Sequence, residues 1–321
     1  MQGKAVEFLT LILPGGLFIL GLLCIIKGGD LFVDAAVWLA RVSGIPPVIV
    51  GATVVSLATT LPEITVSLLA ATQGKVDLAI GNAVGSVTAN LGLILGAALL
   101  FSPVCLRRRD FALRGVLMTA AIAVLLHCSG SETLSRGGSL VLLGIFAVFM
   151  LDSLHTARRS MESQPALRPQ RGEVLRQGCK FLLGTGGILL GARLLVNNGS
   201  LLALRLGVPE AVVGVTLVAV GTSLPELVTA LTAVTKGEGA LSVGNILGAN
   251  LIDTTLILPL CSLVSGGGLP FGTQSILLDL PVCLLMGGIA VLPALFRGRF
   301  SRGQGAAMLT LYLGYLILVI G

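Results

Sequence analysis

The chain has 321 residues, is 55% hydrophobic and only 11% charged, and has a mean hydropathy of +0.99. A water-soluble domain of this size cannot hide so much apolar surface, so a bilayer is the expected solvent. The net charge of +6 does not argue for nucleic acid, because the basic residues fall in short loops between apolar stretches.

A helix crossing ~30 Å of hydrocarbon needs about 20 mostly apolar residues, and the chain has room for about ten such spans. The first runs from about Leu9 to Leu39 and contains Lys27, Asp30 and Asp34, which puts its second half against protein or an interface. It lacks a basic leader and a small-residue cleavage site, so it reads as a membrane helix rather than a signal peptide. Pro46-Pro47 opens the second span, which reaches Ala71 and holds Glu63. The third, Leu78–Leu100, carries Asn82, Ser86 and Asn90. After Arg107-Arg108-Arg109 come spans four (Phe111–Cys128) and five (Gly137–Leu154). The polar stretch from Arg158 to Gly172 is a short linker. Beyond it the pattern resumes with Val174–Leu204, Val208–Val234, Ala240–Val264, Ile276–Phe296 and Gly305–Gly321.

The two halves repeat. Sliding the chain by 163 residues aligns Gly44–Gly96 with Gly207–Pro259 without a gap, with 21 of 53 positions identical. Ser56-Leu-Ala-Thr-Thr-Leu-Pro-Glu63 meets Ala219-Val-Gly-Thr-Ser-Leu-Pro-Glu226, and Gly81-Asn82 to Gly85 meets Gly244-Asn245 to Gly248. A duplication is the simplest account. The expected fold is an all-α integral membrane protein: a five-helix repeat (1–157, core 44–100), a cytoplasmic linker (158–173), and a second five-helix repeat (174–321, core 207–264). Five is odd, so the second half enters the membrane inverted. Loops after the odd-numbered spans carry about 15 Lys/Arg against about four on the other side. The positive-inside rule then puts the linker in the cytoplasm of a bacterial or archaeal cell and both termini outside.

The repeated segments carry chemistry that packing does not need. In a helix, Ser56, Thr59, Thr60 and Glu63 share one face. Pro62 has no N–H for the carbonyl of Ala58, and Pro225 none for that of Gly221. Freed carbonyls then lie beside hydroxyls and a carboxylate, all of which must be satisfied by protein, water or an ion. Asn82, Ser86 and Asn90 recur four apart, as do Asn245, Ala249 and Asp253. If spans 2, 3, 7 and 8 are interrupted and meet centrally, Glu63, Glu226 and Asp253 point at one place. Such oxygens suit a hard cation: one Ca²⁺, or several Na⁺.

The plainer readings differ in weight. A lone Glu in an apolar span is often a helix-end residue. Two in the same hydroxyl-proline setting, each costing about 2.5–3.5 kcal/mol at a membrane centre, argue for a site. The paired glycines are helix-packing motifs in their own right. Lys27, Asp30, Arg193 and Asp279 read as structural or interfacial, and His127 and His155 as helix-end residues. The six cysteines show no Cys-x-x-Cys pair, so neither a disulfide framework nor a zinc site is suggested.

These motifs, twice and in inverted halves, resemble the two α-repeats of the sodium/calcium exchanger family, in its compact prokaryotic form without a large regulatory loop. The resemblance implies that Glu63 and Glu226, with Thr59 and Thr222, hold Ca²⁺. It implies Na⁺ positions drawing on Thr60, Ser223, Ser86, Asn90, Asp253 and the carbonyls of Ser56 and Ala219, with Asn82 and Asn245 in supporting places. It also implies a secondary antiporter, not an enzyme, with no cofactor. It further implies that roughly three Na⁺ exchange electrogenically for one Ca²⁺, while the first and sixth spans slide against a fixed core. The partners are the bilayer and the two ions, with no nucleic acid; the oligomeric state stays open, a monomer included. Three departures stand out: Ala58 where Gly is usual, Val87 where Asn is common, and Ala249 where the second repeat usually has Ser.

Other functions fit these motifs less well. Proton-coupled relatives resemble Gly-Asn-x-x-Glu, but here the fifth position is Gly85 or Gly248. Potassium coupling favours a second aspartate, and position 90 is Asn. Another divalent cation as cargo stays open. No Gly-x-Gly-Asp, Gly-x-Ser-x-Gly or His-Glu-x-x-His pattern supports an intramembrane hydrolase. Inverted halves favour rocking over a static pore.

Overall fold

The computed structural model describes residues 2–163, 170–205, 221–266 and 268–320. Almost all of them are helical. In chain order the helices are α1 (Gln2–Ser43), α2 (Pro47–Thr59), α3 (Leu61–Thr72), α4 (Val76–Phe101), α5 (Arg108–Ser129) and α6 (Arg136–Ser163). They continue with α7 (Arg171–Arg205), α8 (Leu224–Thr235), α9 (Gly239–Val264), α10 (Ser275–Arg297) and α11 (Arg302–Ile320). Among the described residues seven helices are long and apolar enough to cross a membrane, and α2 with α3, bent by 49° where they meet, is so as a pair.

The punctuation comes from the sequence. Gly44 leaves α1 in the left-handed region at φ +68°, and Pro47 starts α2 with its φ already set for a helix. Gly74 and Gly237, 163 residues apart, close α3 and α8 in the same way, at φ +72° and +78°. The duplication recurs in the elements: Leu61–Thr72 shifts onto Leu224–Thr235, and Val76–Ala89 onto Gly239–Ile252.

Four helices contain a wide π-turn: Gly51–Val55 in α2, Asn90–Leu95 in α4, Asp253–Ile257 in α9 and Ser275–Asp279 at the start of α10. Such turns misalign the local ladder and often mark functional segments. The third and eighth spans are therefore unbroken but locally widened, not interrupted as the sequence led us to expect. The second span breaks, at Thr60.

Burial separates a centre from a periphery. The apolar windows of α4 and α9 are 72% and 83% buried, against 33% and 22% for those of α1 and α7. α1 and α7 pack mainly on each other. A Cβ added at Gly28 would sit 2.7 Å from the backbone of Ile188, and one at Gly184 2.6 Å from that of Phe32, so only glycine permits this crossing.

Several boundaries move. α6 continues to Ser163, so the first part of the expected linker is helical, and α7 begins at Arg171. Residues 164–169 and the first part of span seven, with Ala219, lie outside the described residues. Arg114, counted with the basic loop, is 1% exposed inside α5 and pairs with Asp152 of α6 at 2.7 Å. Two short antiparallel ribbons also join loops. β1 (Val104–Cys105) pairs with β4 (Arg299–Phe300), and β2 (Thr133–Ser135) pairs with β3 (Gly268–Pro270).

Candidate functional site

The break at Thr60 follows from Pro62. Without the proline N–H, the turn opens to φ −83°, ψ 2° at Thr60, and Ile64 N–H donates to the Thr60 carbonyl at 3.0 Å to restart the helix. The same motif starts α8, whose cap residue Ser223 has φ −86°, ψ 5°. Each restart puts a glutamate in the first turn: Glu63 in α3 and Glu226 in α8. There the exposed N–H groups favour negative charge.

All four polar residues of the first motif face inward: Ser56, Thr59, Thr60 and Glu63 are 0–2% exposed. Glu226, Ser223, Asn245, Asn90, Ser86 and Asp253 are equally buried, while Thr222 and Asn82 are half-buried. Hydrogen bonds join the halves. Thr59 Oγ1 donates to Asn245 Oδ1 at 3.3 Å, and its counterpart Thr222 Oγ1 donates to Asn82 Oδ1 at 3.4 Å. Thr60 Oγ1 donates to Glu226 Oε1 at 3.2 Å, and Ser223 Oγ to Ser86 Oγ at 3.2 Å. The Ser56 carbonyl already accepts from Thr60 N–H at 2.9 Å and from Thr59 Oγ1 at 3.3 Å.

The differences between the halves have local causes. Ser86 gives Ser223 a hydroxyl partner, but Ala249 offers Thr60 none, and Thr60 reaches the carboxylate instead. Asn82 Nδ2 donates to Ser67 Oγ at 2.9 Å and to the Glu63 carbonyl at 3.3 Å. The residue matching Ser67 is Ala230, and Asn245 Nδ2 is left without a partner among the described residues.

The carboxylates remain. Glu63 Oε1 and Oε2, Glu226 Oε2, and Asp253 Oδ1 and Oδ2 are buried and have no hydrogen-bond partner among the described residues. The three groups repel one another, Glu63 with both of the others and Asp253 with Glu226. Buried charge without a partner is among the costliest arrangements in a protein. No three acidic, His or Cys side chains stand close enough to form a metal cage by themselves among the described residues. Hydroxyls, amides and carbonyls must complete any coordination sphere.

One member of the cluster was missed. Asn250, 0% exposed, accepts from Asn90 Nδ2 at 3.0 Å and donates toward Met118 Sδ at 3.6 Å. It occupies the position that matches Val87, so a search for polar residues present in both copies passes over it. Asp279 is a satisfied structural carboxylate: Tyr315, Ser275 and Gln274 all donate to it, at 3.0–3.3 Å. The glycine pairs also differ. A Cβ at Gly244 or Gly248 would collide with the backbone of α2 at Val48 and Ala52, whereas none at Gly81 or Gly85 meets a described neighbour within 4 Å.

Among the described residues the two matching clefts differ. A cavity of about 260 Å³ lies between α3, α7 and the start of α8, and its wall includes Pro62, Pro225 and Thr222, next to both glutamates. The matching place between α1 and α8 is shut. A Cβ at Gly29 would lie 2.8 Å from Val228 and 3.1 Å from Thr232. There Lys236 Nζ bridges Asp34 at 2.8 Å and Asp30 at 3.2 Å, and Arg41 pairs with Glu238 at 3.1 Å. Partial burial disfavours the Lys236 ammonium, but its bonds to Asp34 and Asp30 outweigh this and hold its pKa above the ordinary lysine value.

Known proteins resemble this chain in sequence and fold. The family model described as "Sodium/calcium exchanger protein" matches residues 13–154 and 179–321. The inner membrane protein YrbG of Escherichia coli is 36% identical over 267 residues, covering 80% of this chain and 82% of YrbG. The sodium/calcium exchanger MaX1 of Methanosarcina acetivorans is 28% identical, covering 94% of this chain and 97% of its own. Among solved structures, the sodium-calcium exchanger NCX_Mj soaked with Na⁺ and Sr²⁺ superimposes with a TM-score of 0.83 at 29% identity. That match covers 96% of this chain and 99% of that one.

Proposed function

This chain belongs to the sodium/calcium exchanger family, a family of transporters, and we propose that it exchanges Na⁺ for Ca²⁺ across the membrane by alternating access. The observation that carries the reading is the set of buried carboxylate oxygens of Glu63, Glu226 and Asp253 without hydrogen-bond partners. They need cations. Ca²⁺ prefers about 6–8 oxygens. Glu63, Glu226, Thr59 and Thr222 supply the central ones. Thr60, Ser223, Ser86, Asn90, Asp253 and the carbonyls of Ser56 and Ala219 serve flanking Na⁺ positions. Asn82 and Asn245 hold the two threonines in place rather than binding first. With roughly three Na⁺ per Ca²⁺, each cycle moves one net charge.

Ten spans in two inverted five-helix repeats, joined by the 158–173 linker, give the architecture. Loop contacts support that count, because each joins loops an even number of spans apart. β1–β4 connects the loops after spans three and nine, β2–β3 those after four and eight, and Arg41–Glu238 those after one and seven. The basic loops face the cytoplasm, so the cavity beside Arg193 opens outward and the Lys236 bridge closes the cytoplasmic cleft. α1 and α7, peripheral and packed on each other, slide together against the buried α4 and α9.

The coupling ion is tested by radiolabelled Ca²⁺ uptake into proteoliposomes loaded in turn with Na⁺, with K⁺ and with acid. Uptake driven only by outward Na⁺ supports the proposal. Uptake driven by K⁺ or protons keeps an antiporter and changes its coupling. Gly85 and Gly248, which offer no carboxylate, weigh against protons.

A further inference from the structure

The outward cavity has a charge of unexpected sign. Its wall consists of apolar groups, hydroxyls and Asn197, and among the described residues that line it Arg193 is the only one with a charge. Arg193 is exposed and makes no hydrogen bond or ion pair among the described residues. The matching residue in the first half is Asp30, 163 positions earlier, which is bound by Lys236 in the shut cleft. The wall that Pro62, Pro225 and Thr222 share therefore carries a cation without a partner among the described residues. Thr222, whose hydroxyl bonds to Asn82, forms part of the same wall, so the charge faces a space bordered by a candidate ligand of the site.

We infer that Arg193 sets cation selectivity at the outer vestibule, lowering the local concentration of divalent ions more than that of monovalent ones. The inference rests on the antiporter reading above. A potential in a low-dielectric cleft scales local ion concentration exponentially with ion charge. Whatever factor it imposes on Na⁺, it imposes the square of that factor on Ca²⁺. With three Na⁺ displacing one Ca²⁺, the potential acts on three charges against two, so Na⁺ displaces Ca²⁺ from the outward-facing site less readily than it would without Arg193. The apolar wall offers little screening, so the effect depends on dissolved salt.

The test is external Ca²⁺ uptake into right-side-out vesicles, with the half-saturating Ca²⁺ and the half-inhibiting external Na⁺ measured for parent, R193Q, R193K and R193E. R193Q should lower the Na⁺ value about twofold and the Ca²⁺ value about fourfold, the square, with R193K at parent values. R193E should shift both further in the same direction, and it serves as the reading if R193Q fails to reach the membrane. Adding ~1 M inert salt should shrink the differences between variants. A merely structural arginine would change maximal rate, or shift both ions by one factor regardless of salt, and either result overturns the inference. Absence of Na⁺-dependent uptake in the parent would instead remove the antiporter reading itself.

Discussion

Thr60 and Glu226, 166 residues apart, meet at 3.2 Å, where the hydroxyl at the break of one half donates to the carboxylate of the other. The contact exists because Pro62 opens the chain at Thr60 and because Ala249 offers that hydroxyl no nearer partner. Thr59 also interacts with the Glu226 side chain, beside the Thr60 donor.

Removing that donor should weaken the site. A hydrogen bond to a charged group contributes about 1.5–3 kcal/mol, so T60V should raise the half-saturating Ca²⁺ roughly tenfold or more, while T60S stays close to the parent. Titration of purified protein with Ca²⁺ measures both; equal affinities for T60V and T60S would contradict the assignment.

Asn245 Nδ2 lacks the acceptor that Ser67 gives Asn82. A230S places a hydroxyl at the matching position and should stabilise the protein by about 1 kcal/mol, raising its unfolding temperature in detergent by a few degrees. A lowered midpoint would mean that the hydroxyl is overpacked at a position with no free space, or that Asn245 is already satisfied.

The Lys236 bridge to Asp30 and Asp34 ties α1 to the end of α8 on the closed side. K236Q should loosen that cleft, and a V228C reporter should then react several-fold faster with a membrane-impermeant maleimide from the cytoplasmic face. The pH dependence has a definite sign. Because the folded-state pKa of Lys236 lies above the ordinary lysine value, the bridge is fully present below that value and is lost only as pH rises through the raised one. Reporter reactivity, corrected for thiol ionisation, should stay flat through about pH 9. A rise near neutrality would point to another group.

Gly244 is needed for contact, not for chain flexibility. A Cβ there collides with the carbonyl of Val48, so G244A must separate α9 from α2 and should lose about 1–3 kcal/mol of stability. G178A on α7, where no described neighbour lies within 4 Å, should be neutral or gain about 1 kcal/mol from helix propensity. Unfolding midpoints of the two variants decide.

Much of this was legible in the sequence because the duplication acts as an internal control. Glu63 and Glu226 stand out since the same costly residue recurs in the same hydroxyl-proline context. Thr59, Thr60, Thr222 and Ser223 follow from helical spacing, and the structure gathers them. Asn250 was not legible, because its partner is Val87 and matching the copies hides residues that only one copy has. Arg114 was misplaced because a charge one turn inside a helix looks the same in sequence as one in the adjoining loop; its partner Asp152 lies 38 residues away. The two ribbons are too short to leave a pattern of alternation. The π-turns, which depend on backbone packing between halves, leave none either. The charge beside the cavity needed three dimensions, since Arg193 and Pro62 are 131 residues apart in sequence.

The most direct test of the central claim is equilibrium binding of radiolabelled Ca²⁺ to the purified protein, with Na⁺ as competitor, for the parent, E63Q and E226Q. One shared site built from both halves predicts saturable binding that Na⁺ displaces cooperatively, and its loss in each variant alone while the folded protein is retained. Binding that survives in either single variant, or that Na⁺ fails to displace, would contradict a common site for the two ions.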